Sequence, residues 1–171
     1  SDHGESLGEH DYFYDHGDYV YEATLHVPLA IALPKSDPLF GARRVASPVS
    51  LIDVAPTLAE LCAFALPPVF EGRSLVPALR GSTLEARPVF AESGKCYFAE
   101  HVPTRVRFDV AGRFRAAIDG RWKLIWTPAP PGEERFELYD LESDPREEND
   151  LYDPEHPRAI ALREALFGWY R

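Results

Sequence analysis

The first residues able to do chemistry are Asp2-His3-Gly4-Glu5. A carboxylate and an imidazole are both good ligands for divalent metals. Adjacent side chains on an extended strand point to opposite faces, so Asp2 and His3 can share an ion only where extended geometry breaks down. Gly4 permits such a break. A plainer reading stands beside it, a surface loop whose Asp2 caps a backbone N–H, and on the dipeptide alone this is the stronger of the two. His10 and His16 follow, among Glu9, Asp11, Asp15 and Asp18. The spacings match no HExxH zinc pattern, because only Gly4 separates His3 from Glu5. His10 reads as part of a solvated polar loop. His16 is more pointed, since an imidazole can donate a proton near neutral pH. His26 and His101 carry no pattern, and His156, between Glu155 and Pro157, reads as a helix-start loop. Cys62 and Cys96 lie in no CxxC pair, which argues against a redox motif or a thiolate zinc site. Cys62 falls on the apolar side of a predicted helix, where a buried structural thiol is expected.

These residues need elements to position them. At 171 residues, 45% hydrophobic and 27% charged, the chain has the composition of a globular protein with a core. A net charge of −10 and the lack of any Lys/Arg cluster exclude a nucleic-acid surface. No apolar run approaches the roughly 20 residues needed to span a bilayer, so no membrane segment is expected. An anionic substrate would need a local positive site, such as a metal. There is no methionine, and Ser1 reads as a cut end; no segment identifies a compartment.

The apolar run Val27–Leu33 predicts a strand buried on both faces, as in a parallel sheet. A short helix is expected from about Asp18 to Leu25, with Asp18 as N-cap. Ser50 and Asp53 form a capping-box-like start to a helix whose apolar face is Leu51, Ile52, Ala55, Leu58, Leu61 and Cys62, bent by Pro56. Another helix should run from Ser74 to Arg80, stopped by Gly81. From Pro88 the pattern turns to strands: Val89–Ala91, Arg113–Ile118, Arg121–Thr127 and Arg135–Leu141, with Asp119-Gly120 predicting a type I′ hairpin turn. A last helix should cover Pro157–Tyr170, with Ile160, Leu162, Leu166, Phe167 and Trp169 buried. We therefore expect an α/β part over 1–87 and an antiparallel sheet with a terminal helix over 88–171. One buried strand and two helices cannot complete a parallel α/β layer, so an N-terminal remainder is expected to supply its neighbours.

Read together, several segments carry a resemblance. Ser1-Asp2-His3-Gly4-Glu5-Ser6-Leu7-Gly8-Glu9-His10 resembles the "SDHGE-x-LGEH" segment of the sulfatase family, within the alkaline phosphatase superfamily. Tyr21–Leu29 resembles "YEEA-x-x-VPLI", Ser47–Leu58 "VSLIDIAPTL", Gly72–Leu75 "GRSL", Gly120–Ile125 "GRWKLI", and Glu137–Pro145 "ELYDL-x-x-DP", all in the family's order. Collinearity over most of the chain makes the match specific.

The resemblance implies the C-terminal part of an alkaline-phosphatase-like α/β sulfatase fold, from a parent enzyme that hydrolyses a small sulfated substrate. It assigns Asp2 and His3 as ligands of a divalent cation, most often Ca²⁺ in sulfatases. Oxygen-preferring calcium suits Asp2 better than His3, so Mn²⁺ and Zn²⁺ stay open. It also places a lysine or histidine further along the loop against the sulfate. No lysine precedes Lys35, and His16 is the candidate for that catalytic role. The family's formylglycine nucleophile, made within C/S-x-P-x-R, has no counterpart here; in Ser143-Asp144-Pro145-Arg146 the arginine comes too early. Formylglycine and two further aspartate ligands are expected in the N-terminal remainder, and this chain alone is expected to be inactive. A phosphate or phosphonate monoesterase of the same superfamily, or a non-catalytic interaction module, are the alternatives.

Overall fold

A computed structural model describes residues 1–98 and 101–170. It divides into two compact units, Ser1–Pro28 with Phe90–Arg171, and Leu29–Val89. The expected division kept residues 1–87 together. Instead the histidine-bearing opening segment packs with the strand-rich half, because its aromatic residues bury there.

In the first unit, β1 (Ser6–Leu7) and β2 (Phe13–Asp15) form a small antiparallel hairpin. A four-stranded sheet runs β3 (Val89–Glu92), β4 (Arg115–Asp119), β5 (Trp122–Thr127), β6 (Arg135–Asp140), in that spatial order. The β4–β5 and β5–β6 pairs are antiparallel. Strand residues alternate between faces, and here the two faces have different tasks. Ala117, Leu124 and Leu138 pack against Ala159, Leu162 and Leu166 of the terminal helix, Pro157–Tyr170. Their neighbours Ala116, Ile125 and Tyr139 pack against Tyr12, Tyr19, Val20 and Tyr21 of the opening segment. The sheet is thus covered by a helix on one side and by the chemistry-bearing loop on the other.

The four strands expected after Pro88 hold to within a residue or two, and the terminal helix matches. The turn differs. Asp119 pairs with Trp122, leaving Gly120 and Arg121 as the loop; φ is +60° at Gly120 and not positive at Arg121. That is the II′ pattern rather than I′, with glycine at the first central position. On the terminal helix, Leu162 and Leu166 are buried as expected, but Ile160 is exposed and Trp169 is half-exposed, stacked on Phe90.

The helix α1 covers only Glu22–Leu25, and Asp18 is not its cap. Asp18 is fully buried, its carboxylate taken by Tyr12, Lys95 and Arg105. Val27–Leu33 forms no strand and is partly exposed. A strand needs a neighbour to satisfy its N–H and C=O groups, and among the described residues no strand lies beside it.

The second unit holds α2 (Val54–Leu61) and α3 (Val76–Leu79). The Ser50–Asp53 capping box is present, closing a 3₁₀ turn at Leu51–Asp53 that precedes α2. The change in winding falls just ahead of Pro56, whose missing N–H leaves the Ile52 carbonyl without an α-helical partner. The expected buried face is not the buried one. Asp53, Pro56, Thr57 and Ala59 point inward, whereas Leu51, Ile52, Leu58 and Cys62 are exposed. Periodicity shows that a stripe is apolar; it does not show that a neighbour covers it. Polar bonds hold the interior side: Thr57 donates to Asp53 O (2.6 Å) and accepts from Leu75 N–H (2.8 Å), while Asp53 accepts from Arg73 N–H (2.8 Å) and pairs with Arg87.

Candidate functional site

The β1–β2 hairpin sets the site. Its register places Ser6 opposite Asp15, which brings Glu5 beside His16 at the open end. Ser6 is buried and donates across the hairpin to Tyr12 O at 2.6 Å. Gly4 donates its N–H to Thr24 O at 2.8 Å, and a Cβ on it would fall 2.2 Å from Ala23 O. Only a residue without a side chain lets the 3–5 stretch lie this close to α1.

The same loop is fixed to the sheet from below. Lys123, on the face shared with Ile125 and Tyr139, is fully buried between Glu147 (2.7 Å) and Glu22 (2.9 Å). Glu147 also accepts from Glu22 N–H at 2.6 Å. Tyr21 donates to Glu137 at 2.9 Å. Burial raises the carboxyl pKa of both Glu137 and Glu147, with tyrosine hydrogen bonds opposing it at Glu137 and Lys123 opposing it at Glu147.

At the site, the His3 and His16 rings stack with centroids 3.7 Å apart. His3 Nδ1 lies 2.7 Å from Gly4 O. A carbonyl only accepts, so Nδ1 carries the proton and a neutral ring presents Nε2. His16 Nδ1 lies 2.9 Å from Glu5 Oε2 in the same sense. One donor atom each from His3, Glu5 and His16 falls within a 4.8 Å group. Asp2 is 89% exposed and outside that group, its Oδ2 4.0 Å from His3 Nε2. Its pKa is lowered by its own backbone N–H and then by His3. Asp15 caps His16 N–H at 2.8 Å, and that bond, ahead of Lys95 and Arg105, holds its carboxyl low.

The other histidines stay apart. His10, with φ +56°, stacks on Tyr21 at 3.7 Å, and desolvation lowers its pKa; its expected solvated setting is therefore half-buried instead. His26 pairs with Glu22, and His156 lies against Trp122. The motif reading missed Glu5 as the partner of His16, although the hairpin register places the two side by side. It also missed Lys95, whose segment carries no motif. Lys95 Nζ reaches His16 O at 3.2 Å, Asp18 at 3.1 Å and Asp15 at 3.6 Å.

A metal fits this donor chemistry. Ligand atoms each about 2.0–2.5 Å from one ion can be about 4 Å apart, so the 4.0 Å gap between Asp2 and His3 can be bridged. Bonding of His3 Nδ1 to a carbonyl is the usual way a ligand ring is oriented.

Residues 8–166 match the family model described as N-sulphoglucosamine sulphohydrolase, C-terminal. The chain is 33% identical to choline-sulfatase of Rhizobium meliloti over 92% of its own length and 27% of that protein. It is 31% identical to arylsulfatase K of Xenopus laevis over 86% of its length and 26% of that protein. It superimposes with a TM-score of 0.69 and 27% identity on a putative sulfatase from Bacteroides thetaiotaomicron, covering 98% of this chain and 34% of the other. The chain therefore spans about a quarter to a third of the length of the proteins it matches. Sulfatases of this superfamily generally depend on a divalent metal. With collinear motifs, a mixed α/β fold ending in an antiparallel sheet and helix, and a family match over nearly its whole length, this chain belongs to the sulfatases, as the C-terminal part of their alkaline-phosphatase-like fold.

Proposed function

We propose that this chain is part of a parent enzyme that hydrolyses a sulfuric ester of a small substrate, with Asp2 and His3 as ligands of a divalent cation and His16 as the group acting on the departing oxygen. The observation that carries this reading is the His16–Glu5 hydrogen bond of 2.9 Å on a ring stacked against His3. Glu5 fixes the Nδ1 proton and the ring plane, which leaves Nε2 as the atom free to face a leaving group. His16 would then give its Nε2 proton to the leaving alkoxide oxygen and return to neutral imidazole. Asp15 holds the backbone N–H of His16, so the ring is steadied from both ends. His3, with Nδ1 committed to Gly4 O, keeps Nε2 for the cation, and Asp2 supplies a hard oxygen. When bound, the cation, with calcium first and manganese or zinc as alternatives, would neutralise the sulfate oxygens and a formylglycine nucleophile supplied by sequence outside these residues.

The test is made in the full-length enzyme. Asp2→Ala should lower metal content and activity together, and unchanged metal content with lost activity would remove Asp2 as a ligand. His16→Ala should cost more with poor alcohol leaving groups than with activated aryl sulfates, because only poor leaving groups need the proton. An equal loss on both would refute the proton-donor role. Turnover of phosphonate monoesters without sulfate esters would favour the other hydrolase of the superfamily.

A further inference from the structure

The segment Ser93–Lys95 docks directly on the His16 turn, and its bonds are unusually concentrated there. Lys95 N–H donates to Gly17 O at 3.0 Å, while Lys95 Nζ donates to His16 O at 3.2 Å and to Asp18 Oδ2 at 3.1 Å. The same ammonium lies 3.6 Å from Asp15, the residue that caps His16 N–H. Lys95 therefore grips the carbonyls of both His16 and Gly17, and the carboxylates on either side of them.

This grip has a firm base. Ser93 N–H donates to Phe114 O at 2.8 Å, Ser93 Oγ donates to Lys95 O at 2.8 Å, and Arg113 donates to Ser93 O at 2.7 Å. Phe114 is fully buried and adjoins β4. Asp18, the far end of the grip, is also fully buried, held on one oxygen by Tyr12, Lys95 and Arg105, with its other oxygen unpartnered among the described residues. Lys95 is itself 38% exposed, so its cost of burial is small and its charge is spent mainly on this turn. Arg105 bonds the same two carboxylates, Asp18 at 3.0 Å and Asp15 at 3.5 Å, but makes no hydrogen bond to His16 or Gly17 among the described residues.

We infer that Lys95 is a positioning residue for His16: by holding the His16 and Gly17 carbonyls against the sheet-anchored Ser93–Lys95 turn, it sets where the imidazole stands. The inference rests on the proposed reading of His16. Glu5 and His3 fix the ring, and Lys95 fixes the backbone from which the ring projects. Small displacements of a group acting on a reacting bond are costly in rate even where folding is intact.

The experiment is a double-mutant cycle in the full-length enzyme, with Lys95→Met, Lys95→Arg, His16→Ala and the Lys95→Met/His16→Ala pair, assayed on a poor and an activated sulfate ester. Lys95→Met should lower kcat about 10- to 100-fold on the poor leaving group with KM changed less than about twofold. Lys95→Arg should recover most of that loss. In the His16→Ala background Lys95→Met should change kcat by less than about twofold, because its effect passes through His16. Arg105→Met should cost comparable thermal stability with a smaller loss of kcat. A Lys95→Met effect that is the same with and without His16, or that appears only in KM, or that Arg105→Met reproduces in full, overturns the inference. Should Lys95→Met not fold, Lys95→Gln, which keeps a donor without the charge, runs the same cycle. Equal His16→Ala losses on both esters would refute the proton-donor reading alone; the cycle would still decide whether Lys95 works through His16.

Discussion

Replacing Lys123 by methionine tests how the site loop is attached to the sheet. Lys123 has no solvent exposure and stands 2.7 Å from Glu147, itself almost wholly buried, and 2.9 Å from Glu22. Methionine matches its volume and keeps the packing with Tyr139 on the neighbouring strand, so the change is almost purely one of charge. It leaves two carboxylates facing each other with one of them out of water. Breaking a buried pair from one side costs about 3–5 kcal/mol, a large share of the roughly 5–15 kcal/mol a domain has. With a urea m-value of about 2 kcal/mol/M, the midpoint should fall by about 2 M. The assay is urea unfolding followed by fluorescence of Trp122 and Trp126, at neutral pH and again in mild acid. The pH arm follows from the sign. Burial already raises the Glu147 carboxyl, Lys123 opposes that rise, and its removal lifts the pKa further. A raised carboxyl stabilises the fold below its unfolded pKa and loses that contribution as pH climbs through the folded value. The deficit of the variant should therefore shrink on acidification, and Glu147→Gln should recover stability in the Lys123→Met background. A loss below about 1 kcal/mol at neutral pH, with no recovery in acid, would refute the claim that the buried charges hold the loop.

Three further outcomes are expected. Gly4→Ala should lower the melting temperature by several degrees, since its Cβ would meet Ala23 O at 2.2 Å and about 1–3 kcal/mol is typical of such overpacking. Thr57→Val, of equal size, should cost about 1–3 kcal/mol in urea unfolding by leaving the buried Leu75 N–H without its acceptor. Asp140 should titrate at about 2 by carbon NMR, chiefly because Arg121 hydrogen-bonds its carboxylate, and Arg121→Met should return it toward 3.8. Being depressed, that pKa gives stability present above 3.8 and lost as pH falls through about 2.

Local signals were readable where the backbone answers to its own neighbours. The Ser50–Asp53 capping box, the strands flanking Asp119-Gly120 and the helix from Pro157 depend on residues a few positions apart, and all three stand in the structure. The family was legible because its motifs recur in order. Asp2, His3 and His16 were named from sequence, and the hairpin register then brought two of them, His3 and His16, together with Glu5.

What sequence could not decide is what each surface meets. The stripe of Leu51, Ile52 and Leu58 is as apolar as any core face, yet it is exposed, while Asp53 and Thr57 are buried because hydrogen bonds from Arg73 and Leu75 satisfy them. Val27–Leu33 has a strand's composition but, among the described residues, no strand beside it. Asp18 looked like a helix cap until Lys95 and Arg105, more than seventy positions away, claimed its carboxylate. Composition and spacing determine which groups are available and which local turns they favour; partners distant along the chain decide which charges are neutralised, which faces are covered and which imidazole is held in place.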